Sequence, residues 1–128
     1  MRVFGLGTDI VDIKRFRKVV EKRGKDFLRK IFTEKELEHA SSKKFFYEHM
    51  AGKFAAKEAV KKALPDGARI GLNWSDIEVL NHPDGKPYVE LHGRAGQIMR
   101  EFDLTRVLVS VSHTENIATS NALAVKDV

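Results

Sequence analysis

The chain has 128 residues, 42% of them hydrophobic and 32% charged, which is typical of a globular protein with one core. We therefore expect residues 1–128 to form a single domain. The absence of cysteine excludes disulfides, thiolate catalysis and cysteine-ligated zinc. No apolar run is long enough to span a bilayer and the N-terminus lacks a signal-peptide pattern, so we expect a cytoplasmic protein with no membrane partner.

The net charge of +5 is concentrated in one segment of the chain. Residues 14–30 hold nine basic and two acidic residues, a local charge of +7, whereas the remaining positions together carry −2. A basic segment of this kind attracts a polyanion or an acidic protein. Charge alone therefore makes nucleic acid the leading partner, and one hypothesis is a small RNA-binding module that uses residues 14–30.

Residues 1–11 predict a strand whose regular structure is weakened at Gly5 and Gly7. A dinucleotide-binding fingerprint is excluded because its third glycine position is occupied by Ile10. We expect the two glycines to allow close backbone approach by another strand or by a ligand. Asp9 ends the strand, and a lone aspartate at such a place is usually a turn or capping residue.

Helices are predicted through most of the first half, at residues 13–23, 33 to about 40, and 45–64, with a short helical or irregular link at 27–32. Asp12 is the better N-cap for the first of these helices, which leaves Asp9 without an obvious capping role, and Gly24 ends that helix. Thr33 and Glu36 have the spacing of a capping box that opens the second. Residues 41–44 form a polar connection.

The long helix over residues 45–64 contains an unexpected carboxylate. Pro65 and Gly67 mark its end, and alanine, lysine and glutamate favour it throughout. Glu58 lies beside the apolar stripe among small residues that would let another segment approach closely, and Lys62 follows one turn later. These two residues alone predict either a surface ion pair, or a carboxylate that binds a metal with a lysine that meets a phosphate.

The second half changes to strands. They are predicted at residues 76–80, 88–91, 106–114 and 117–125, with a short helix at 93–102. Asp84-Gly85 is a strong hairpin signal between the first two strands, and Asn116 turns the chain between the last two. The order predicts an α+β fold in which the long helix packs on a mostly antiparallel sheet that contains the N-terminal strand and the 106–125 hairpin.

Two segments of the chain carry a family resemblance. Residues 5–15, which begin Gly-Leu-Gly-Thr-Asp, and residues 54–63, which contain Lys57-Glu58-Ala59, closely resemble the holo-acyl-carrier-protein synthases, the small bacterial branch of the 4′-phosphopantetheinyl transferases. The resemblance covers nearly the whole chain in length and motif order. It implies transfer of phosphopantetheine from coenzyme A to a serine of apo acyl carrier protein, with release of 3′,5′-ADP.

The same resemblance implies roles for particular residues. Asp9 and Glu58 would bind Mg²⁺, and Lys62 would stabilise charge on the pyrophosphate, which are roles suited to oxygen ligands and a lysine point charge. The proton acceptor stays open among Glu58, Asp9 and a water on the metal. The residues implied near coenzyme A are Lys53, Gly85, Lys86, Pro87, Ser110, Ser112 and His113.

Lys53 stands where many family members have arginine, so the charge is kept and the guanidinium fork is lost. His113 alone would be a structural or surface histidine, and no Ser/His/Asp triad is indicated. The implied docking face for the acidic carrier protein comprises Lys14, Arg15, Lys18 and Lys22, with Arg15 the best-matched position.

The resemblance also implies a homotrimer with active sites at the subunit interfaces. The RNA-binding hypothesis lacks the aromatic stacking motifs and glycine-basic loops of common RNA modules. It also leaves Asp9 and Glu58 unexplained, because carboxylates near phosphates require a metal. We therefore expect no nucleic-acid partner.

Overall fold

The computed structural model describes residues 1–41, 44–65 and 70–127. Its helices are α1 (Ile13–Ile31), α2 (Glu34–Ser41), α3 (Phe46–Ala63) and α4 (Gly93–Glu101), with a 3₁₀ turn at Trp74–Asp76. Its strands are β1 (Arg2–Asp12), β2 (Ile77–Asn81), β3 (Pro87–Leu91), β4 (Arg106–His113) and β5 (Ile117–Lys126). The predicted stop at Gly67 and part of the predicted connection, residues 42–43, lie outside the described residues.

The strands form two antiparallel sheets. The larger has the order β1-β5-β4, in which Gly7 lies opposite Ala122 and His113 lies opposite Ala118. The smaller is the β2–β3 hairpin, with Ile77 opposite Leu91. The predicted α+β architecture is confirmed, with the N-terminal strand and the last hairpin in one sheet and the middle hairpin in a sheet of its own.

Helix α3 is the centre of the fold, and β1 crosses it at very short range. A Cβ atom on Gly7 would lie 1.9 Å from the Ala59 carbonyl oxygen, and one on Gly5 would lie 2.0 Å from that of Ala63. Only glycine fits at such a backbone approach. The prediction of close approach at these glycines was therefore right, but the approaching backbone is that of a helix and not of a strand or ligand.

The capping signals act as expected. The Asp12 carboxylate accepts a 2.9 Å hydrogen bond from the Arg15 backbone N–H at the start of α1. Gly24 leaves the helical conformation with φ 71°, and the helix then resumes to Ile31 where a short helical or irregular link was predicted. At α2, the Thr33 N–H donates to Glu36 at 2.8 Å, and the Glu36 N–H donates to the Thr33 hydroxyl at 3.3 Å.

Apolar side chains form two clusters on either side of α3. One lies among α3, α4 and the sheets, around Val60, Ile77 and Ile98. The other lies among α1, α2 and α3, around Phe16, Met50 and other buried residues. Within the described ranges, no helix is sufficiently long and apolar to cross a membrane.

Candidate active site

The contact between β1 and α3 brings Asp9 and Glu58 to one cavity. Gly7 lets the strand lie directly on the helix at Ala59, and Asp9 and Glu58, which lie close to this contact in sequence, line the same cavity. The cavity measures about 410 Å³, and Phe16, Phe54 and Trp74 form much of its apolar wall. The two carboxylate side chains are 16% and 23% exposed, so each is partly open to solvent.

Lys62 reaches Asp9 and not Glu58. Its Nζ lies 3.1 Å from Asp9 Oδ1 and donates a 2.9 Å hydrogen bond to the Thr8 carbonyl. The lysine that approaches Glu58 is Lys61, at 3.8 Å. The helical spacing suggested an ion pair between Glu58 and Lys62, whereas the structure uses Lys62 to join α3 to β1. Its side chain is 50% exposed, which leaves the ammonium accessible to a ligand.

Glu58 has a second partner that the sequence did not indicate. The indole Nε1–H of Trp74 donates a hydrogen bond to Glu58 Oε1. The Trp74 ring lies next to Phe54, with 6.2 Å between ring centroids, and the Lys61 ammonium lies 4.8 Å from its centroid. Glu58 is thus held by an uncharged donor from the 3₁₀ turn as well as by a neighbouring cation.

The chemistry of this pair fits a hard divalent cation. Mg²⁺ prefers oxygen ligands and commonly takes one or two protein carboxylates, with substrate phosphates and water completing its shell. Asp9 and Glu58 supply two carboxylates on one cavity. Among the described residues, a different group brings three ligand atoms within 4.8 Å of one another, namely Glu78, Glu90 and His92. That group lies on β2, β3 and the residue after β3, and none of its residues lines the cavity of Asp9 and Glu58.

A second cavity, of about 200 Å³, collects several residues of the predicted coenzyme A set. Its lining includes Gly52 and Lys53 of α3, Gly85 and Pro87 of the hairpin, and His113 at the end of β4. The His113 ring lies 6.4 Å from that of His49, and its Nδ1 lies 3.2 Å from the Thr114 carbonyl. Four predicted residues from three separate segments therefore meet at one place.

Lys53 is engaged with the protein itself. Its ammonium donates to the Val79 carbonyl at 2.6 Å and to Asn81 Oδ1 at 3.1 Å, while the Asn81 amide donates to the Gly85 carbonyl at 2.9 Å. Burial lowers the pKa of Lys53 to about 8, against the opposing effect of Glu36. In this structure Lys53 fixes the position of the β2–β3 turn, a role that the sequence did not predict.

The remaining predicted residues lie elsewhere. Ser110 and Ser112 are exposed on the outer face of β4, and Lys86 is exposed at the hairpin turn. Successive side chains of a strand point to opposite faces, so the two serines lie on the other side of the sheet from His113. One copy of the chain therefore does not bring all of the predicted coenzyme A residues together.

The predicted docking residues form an exposed surface. Lys14, Arg15, Lys18 and Lys22 are all exposed on α1, whose apolar face is buried through Ile13, Phe16 and Val20. Arg15 also lines the cavity of Asp9 and Glu58. The basic surface thus adjoins the candidate metal site.

The sequence did not reveal a buried ion pair beneath the site. Lys57 and Glu36 are fully buried, and their Nζ and Oε1 atoms lie 2.8 Å apart. Lys57 also donates to the carbonyls of Trp74 and Ile77, and Glu36 accepts from the Val79 N–H. The capping-box spacing marked Glu36 as a helix start, but nothing in its local sequence showed that it meets a lysine 21 positions later.

The chain is a small α+β protein in which two carboxylates, Asp9 and Glu58, line one cavity. A sequence profile described as the 4′-phosphopantetheinyl transferase superfamily matches residues 5–120. This chain belongs to that superfamily.

Within the superfamily, the chain is similar to proteins named holo-[acyl-carrier-protein] synthase. A Caldanaerobacter subterraneus protein named holo-[acyl-carrier-protein] synthase is 46% identical over 125 residues, covering 98% of this chain and 96% of its own. A Geotalea daltonii protein of the same name is 42% identical over 92% and 94%. The crystal structure of a Bacillus anthracis holo-(acyl-carrier-protein) synthase in complex with CoA (3′,5′-ADP) is 30% identical, covers 99% of this chain and 100% of that one, and has a TM-score of 0.80.

Proposed function

We propose that this protein transfers the 4′-phosphopantetheine group from coenzyme A to a serine of apo acyl carrier protein. Its membership of the superfamily and its nearly full-length likeness to holo-[acyl-carrier-protein] synthases support this. The observation that carries the proposal is that β1 and α3 bring Asp9 and Glu58 to one cavity beside an exposed basic helix.

The reaction is a phosphoryl transfer whose nucleophile belongs to the partner. The serine hydroxyl oxygen forms a bond to the phosphorus that bears pantetheine, and the bridging P–O bond of the pyrophosphate breaks. Adenosine 3′,5′-bisphosphate leaves with the bond electrons, and the hydroxyl proton passes to a base. The protein must therefore bind the pyrophosphate, balance its charge and orient the hydroxyl.

In this proposal Asp9 and Glu58 hold Mg²⁺. When bound, that ion would neutralise charge on the pyrophosphate oxygens. Lys62 keeps Asp9 in place through its 3.1 Å contact, and its half-exposed ammonium can also meet a phosphate oxygen. Asp9 and Glu58 both face the cavity in which the hydroxyl would lie, so either can accept the proton.

The cavity at Lys53, Gly85, Pro87 and His113 is proposed for coenzyme A. Lys53 holds the hairpin through Asn81 and is also part of the lining of this cavity. Ser110 and Ser112 lie on the outer sheet face, so their proposed contact with coenzyme A requires another subunit.

We propose a homotrimer in which that face is covered. Large apolar side chains point outward from the β1-β5-β4 sheet, including Leu6 at 67% and Ile10 at 66% exposure, together with Phe4, Leu108 and Ile117. Contiguous apolar surface of this kind marks an interaction site. Burying it against a second copy would also carry Ser110 and Ser112 into a neighbour's site.

The carrier protein is proposed to dock on Lys14, Arg15, Lys18 and Lys22. An acidic carrier would be drawn to the local charge of +7, mainly through the rate of encounter. Arg15 would then lie at the boundary between docking and chemistry, since it also lines the metal cavity. We place the activity in the cytoplasm, where it would supply holo carrier protein to fatty acid biosynthesis.

The test is incubation with coenzyme A, Mg²⁺ and apo acyl carrier protein, followed by the intact mass of the carrier. We expect the carrier to gain phosphopantetheine only when Mg²⁺ is present. Glu58→Ala and Asp9→Ala should each abolish the gain while circular dichroism shows a retained fold. Glu38→Ala is the matched control, because it removes an exposed carboxylate from α2.

Two results would decide against the proposal. Full activity of Glu58→Ala at saturating Mg²⁺ would remove the metal role of the pair. Salt-dependent binding of single-stranded RNA without any modification of the carrier would favour an RNA-binding module that uses residues 14–30.

A further inference from the structure

Trp74 is held at both ends by consecutive residues of α3. The buried Lys57 donates a 3.1 Å hydrogen bond to the Trp74 backbone carbonyl, and the Glu58 carboxylate accepts from the Trp74 indole N–H. These contacts give the Lys57-Glu58 pair a joint structural role. Lys57 fixes where the tryptophan backbone lies, and Glu58 meets the end of its side chain.

The turn that carries Trp74 is itself well anchored. The Asn73 N–H donates to the Asp76 carboxylate at 3.1 Å, and the Asp76 carbonyl accepts from the His92 N–H at 2.8 Å. The indole ring packs beside Phe54, with 6.2 Å between centroids. A donor fixed this way costs little further ordering when it holds a carboxylate, because its own motion is already restricted.

Trp74 lines two cavities. One is the cavity of Asp9 and Glu58. The other, of about 330 Å³, is also lined by Arg23, Asp26, Phe27, Lys30 and Ile31. Trp74 is therefore part of the lining of the candidate metal site, and its indole N–H is the group that meets the carboxylate.

We infer that Trp74 is a positioning residue that sets the orientation of Glu58 for Mg²⁺. This rests on the proposed function, in which Glu58 is a metal ligand. The indole N–H occupies one carboxylate oxygen, so the second oxygen serves the cation. Ligating carboxylates are commonly oriented by such outer hydrogen bonds, and losing one costs about 10- to 100-fold in metal affinity or activity.

Lys61 approaches the same Glu58 oxygen as Trp74 does, but it carries a positive charge. Its ammonium lies 3.8 Å from Glu58 Oε1 and 4.8 Å from the Trp74 ring centroid. A fixed positive charge there repels a divalent cation, whereas an uncharged N–H orients the carboxylate without that repulsion. Removing each partner should therefore move metal affinity in opposite directions.

The test is the affinity of the protein for Mn²⁺, measured by the electron paramagnetic resonance signal of free Mn²⁺ at saturating coenzyme A. Trp74→Phe keeps an aromatic ring and loses the N–H, and we expect its Mn²⁺ dissociation constant to rise about 10- to 100-fold. Its coenzyme A dissociation constant without metal should stay close to that of the wild type. Lys61→Gln is the contrasting variant, and its Mn²⁺ affinity should be higher than that of the wild type, because a positive charge next to Glu58 is removed.

Glu58→Gln separates failure of this inference from failure of the proposed function. If Glu58→Gln binds Mn²⁺ as tightly as the wild type, Glu58 is not a ligand and the function itself loses its support. If Glu58→Gln loses affinity while Trp74→Phe keeps it, the function stands and the positioning role is wrong. If Trp74→Phe weakens coenzyme A and Mn²⁺ equally, the ring is a wall of the pocket and nothing more.

A second measurement keeps the inference testable if Trp74→Phe does not fold. Trp74 is the only tryptophan, so wild-type emission reports on this residue alone. Adding Mg²⁺ at saturating coenzyme A should change that emission, because a cation on the carboxylate alters the field at the indole bonded to it. Emission that stays constant while Mn²⁺ displacement shows Mg²⁺ binding would overturn the inference.

Discussion

The two sides of α3 are packed by opposite means. On the sheet side, Gly5 and Gly7 lie directly against the backbone of Ala63 and Ala59, and shape alone fixes the distance. On the side of α2 and β2, buried charges carry the contact. There Lys57 reaches Glu36 and two carbonyls, and Lys53 reaches the Val79 carbonyl and Asn81.

This difference shows how the helix positions two kinds of group. The close backbone contact sets how near β1 lies to α3, and with it how near Asp9 lies to Glu58. It does little to fix the orientation of the side chains. Hydrogen bonds to buried ammonium groups are directional, and they fix the 3₁₀ turn and the hairpin that carry Trp74 and Gly85. The directional contacts cost desolvation, which is why each charge on this side has several partners.

The largest effect is expected on the sheet side, from Gly7→Ala. Its Cβ would lie 1.9 Å from the Ala59 carbonyl oxygen and 2.8 Å from the Ala63 nitrogen, and backbone atoms cannot move aside as a side-chain end can. Overpacking usually costs about 1–3 kcal/mol, and we expect more here, up to failure to fold. Thermal unfolding followed by circular dichroism measures it.

Gly52→Ala is the matched control, because its Cβ would meet only the side chain of Val111, at 3.1 Å. Alanine also favours a helix interior by about 1 kcal/mol over glycine, so this variant should unfold near the wild-type temperature. A Gly7→Ala variant as stable as Gly52→Ala would contradict the account of a contact set by shape.

The next largest effect is expected from Lys57→Met on the charged side. It leaves the Glu36 carboxylate buried without its cation, and breaking a buried pair typically costs about 3–5 kcal/mol. Urea unfolding measures the loss. Adding Glu36→Gln removes the unpaired charge, so the double variant should lose less than the sum of the two single variants. Additive losses would show that the pair is not coupled.

The parts of the fold that could be predicted are those with local signals. The helix starts at Asp12 and Thr33 follow from side-chain oxygens that cap nearby N–H groups, and Gly24 marks a break because it adopts φ 71°. The pairings within the β2–β3 and β4–β5 hairpins followed from the turn signals between neighbouring strands. None of these features requires knowledge of distant residues.

The buried charges could not be predicted, because lysine in an alanine-rich helix usually lies on the surface. Lys57 and Glu36 are buried only because α2 and β2 enclose α3, a contact between residues far apart in sequence. For the same reason Trp74 could not be connected to Glu58. These contacts depend on packing between segments far apart in sequence, and the hydrophobic periodicity of a single segment does not predict them.

The candidate coenzyme A residues divide in a way that strand alternation could have shown. Ser110 and Ser112 share one face of β4, and His113 belongs to the other. The family motif groups the three by sequence, whereas one subunit places them on opposite sides of the sheet. Strand alternation alone predicts that the two serines and His113 lie on opposite faces of the sheet.

The smallest effect is expected at Lys53, where the buried charge can be tuned by pH. Burial lowers the pKa of its ammonium to about 8 from a model-peptide value of 10.5. Between these two values the unfolded chain binds the proton and the folded chain does not, so the Lys53 contribution to the free energy of unfolding rises with pH. Below pH 8 both states are protonated and the contribution is constant.

Urea unfolding of the wild type and of Lys53→Met from pH 7 to 10 measures this contribution as the gap between the two stabilities. We expect the gap to shift in favour of the wild type as pH rises above 8, by at most about 3 kcal/mol, since each unit of pKa difference corresponds to about 1.4 kcal/mol. Other titrating groups are common to both proteins and cancel in the gap. A gap that stays constant over this range would mean that the Lys53 ammonium keeps its ordinary pKa. The charged side of α3 would then hold its hairpin with a solvated cation and not with a buried one.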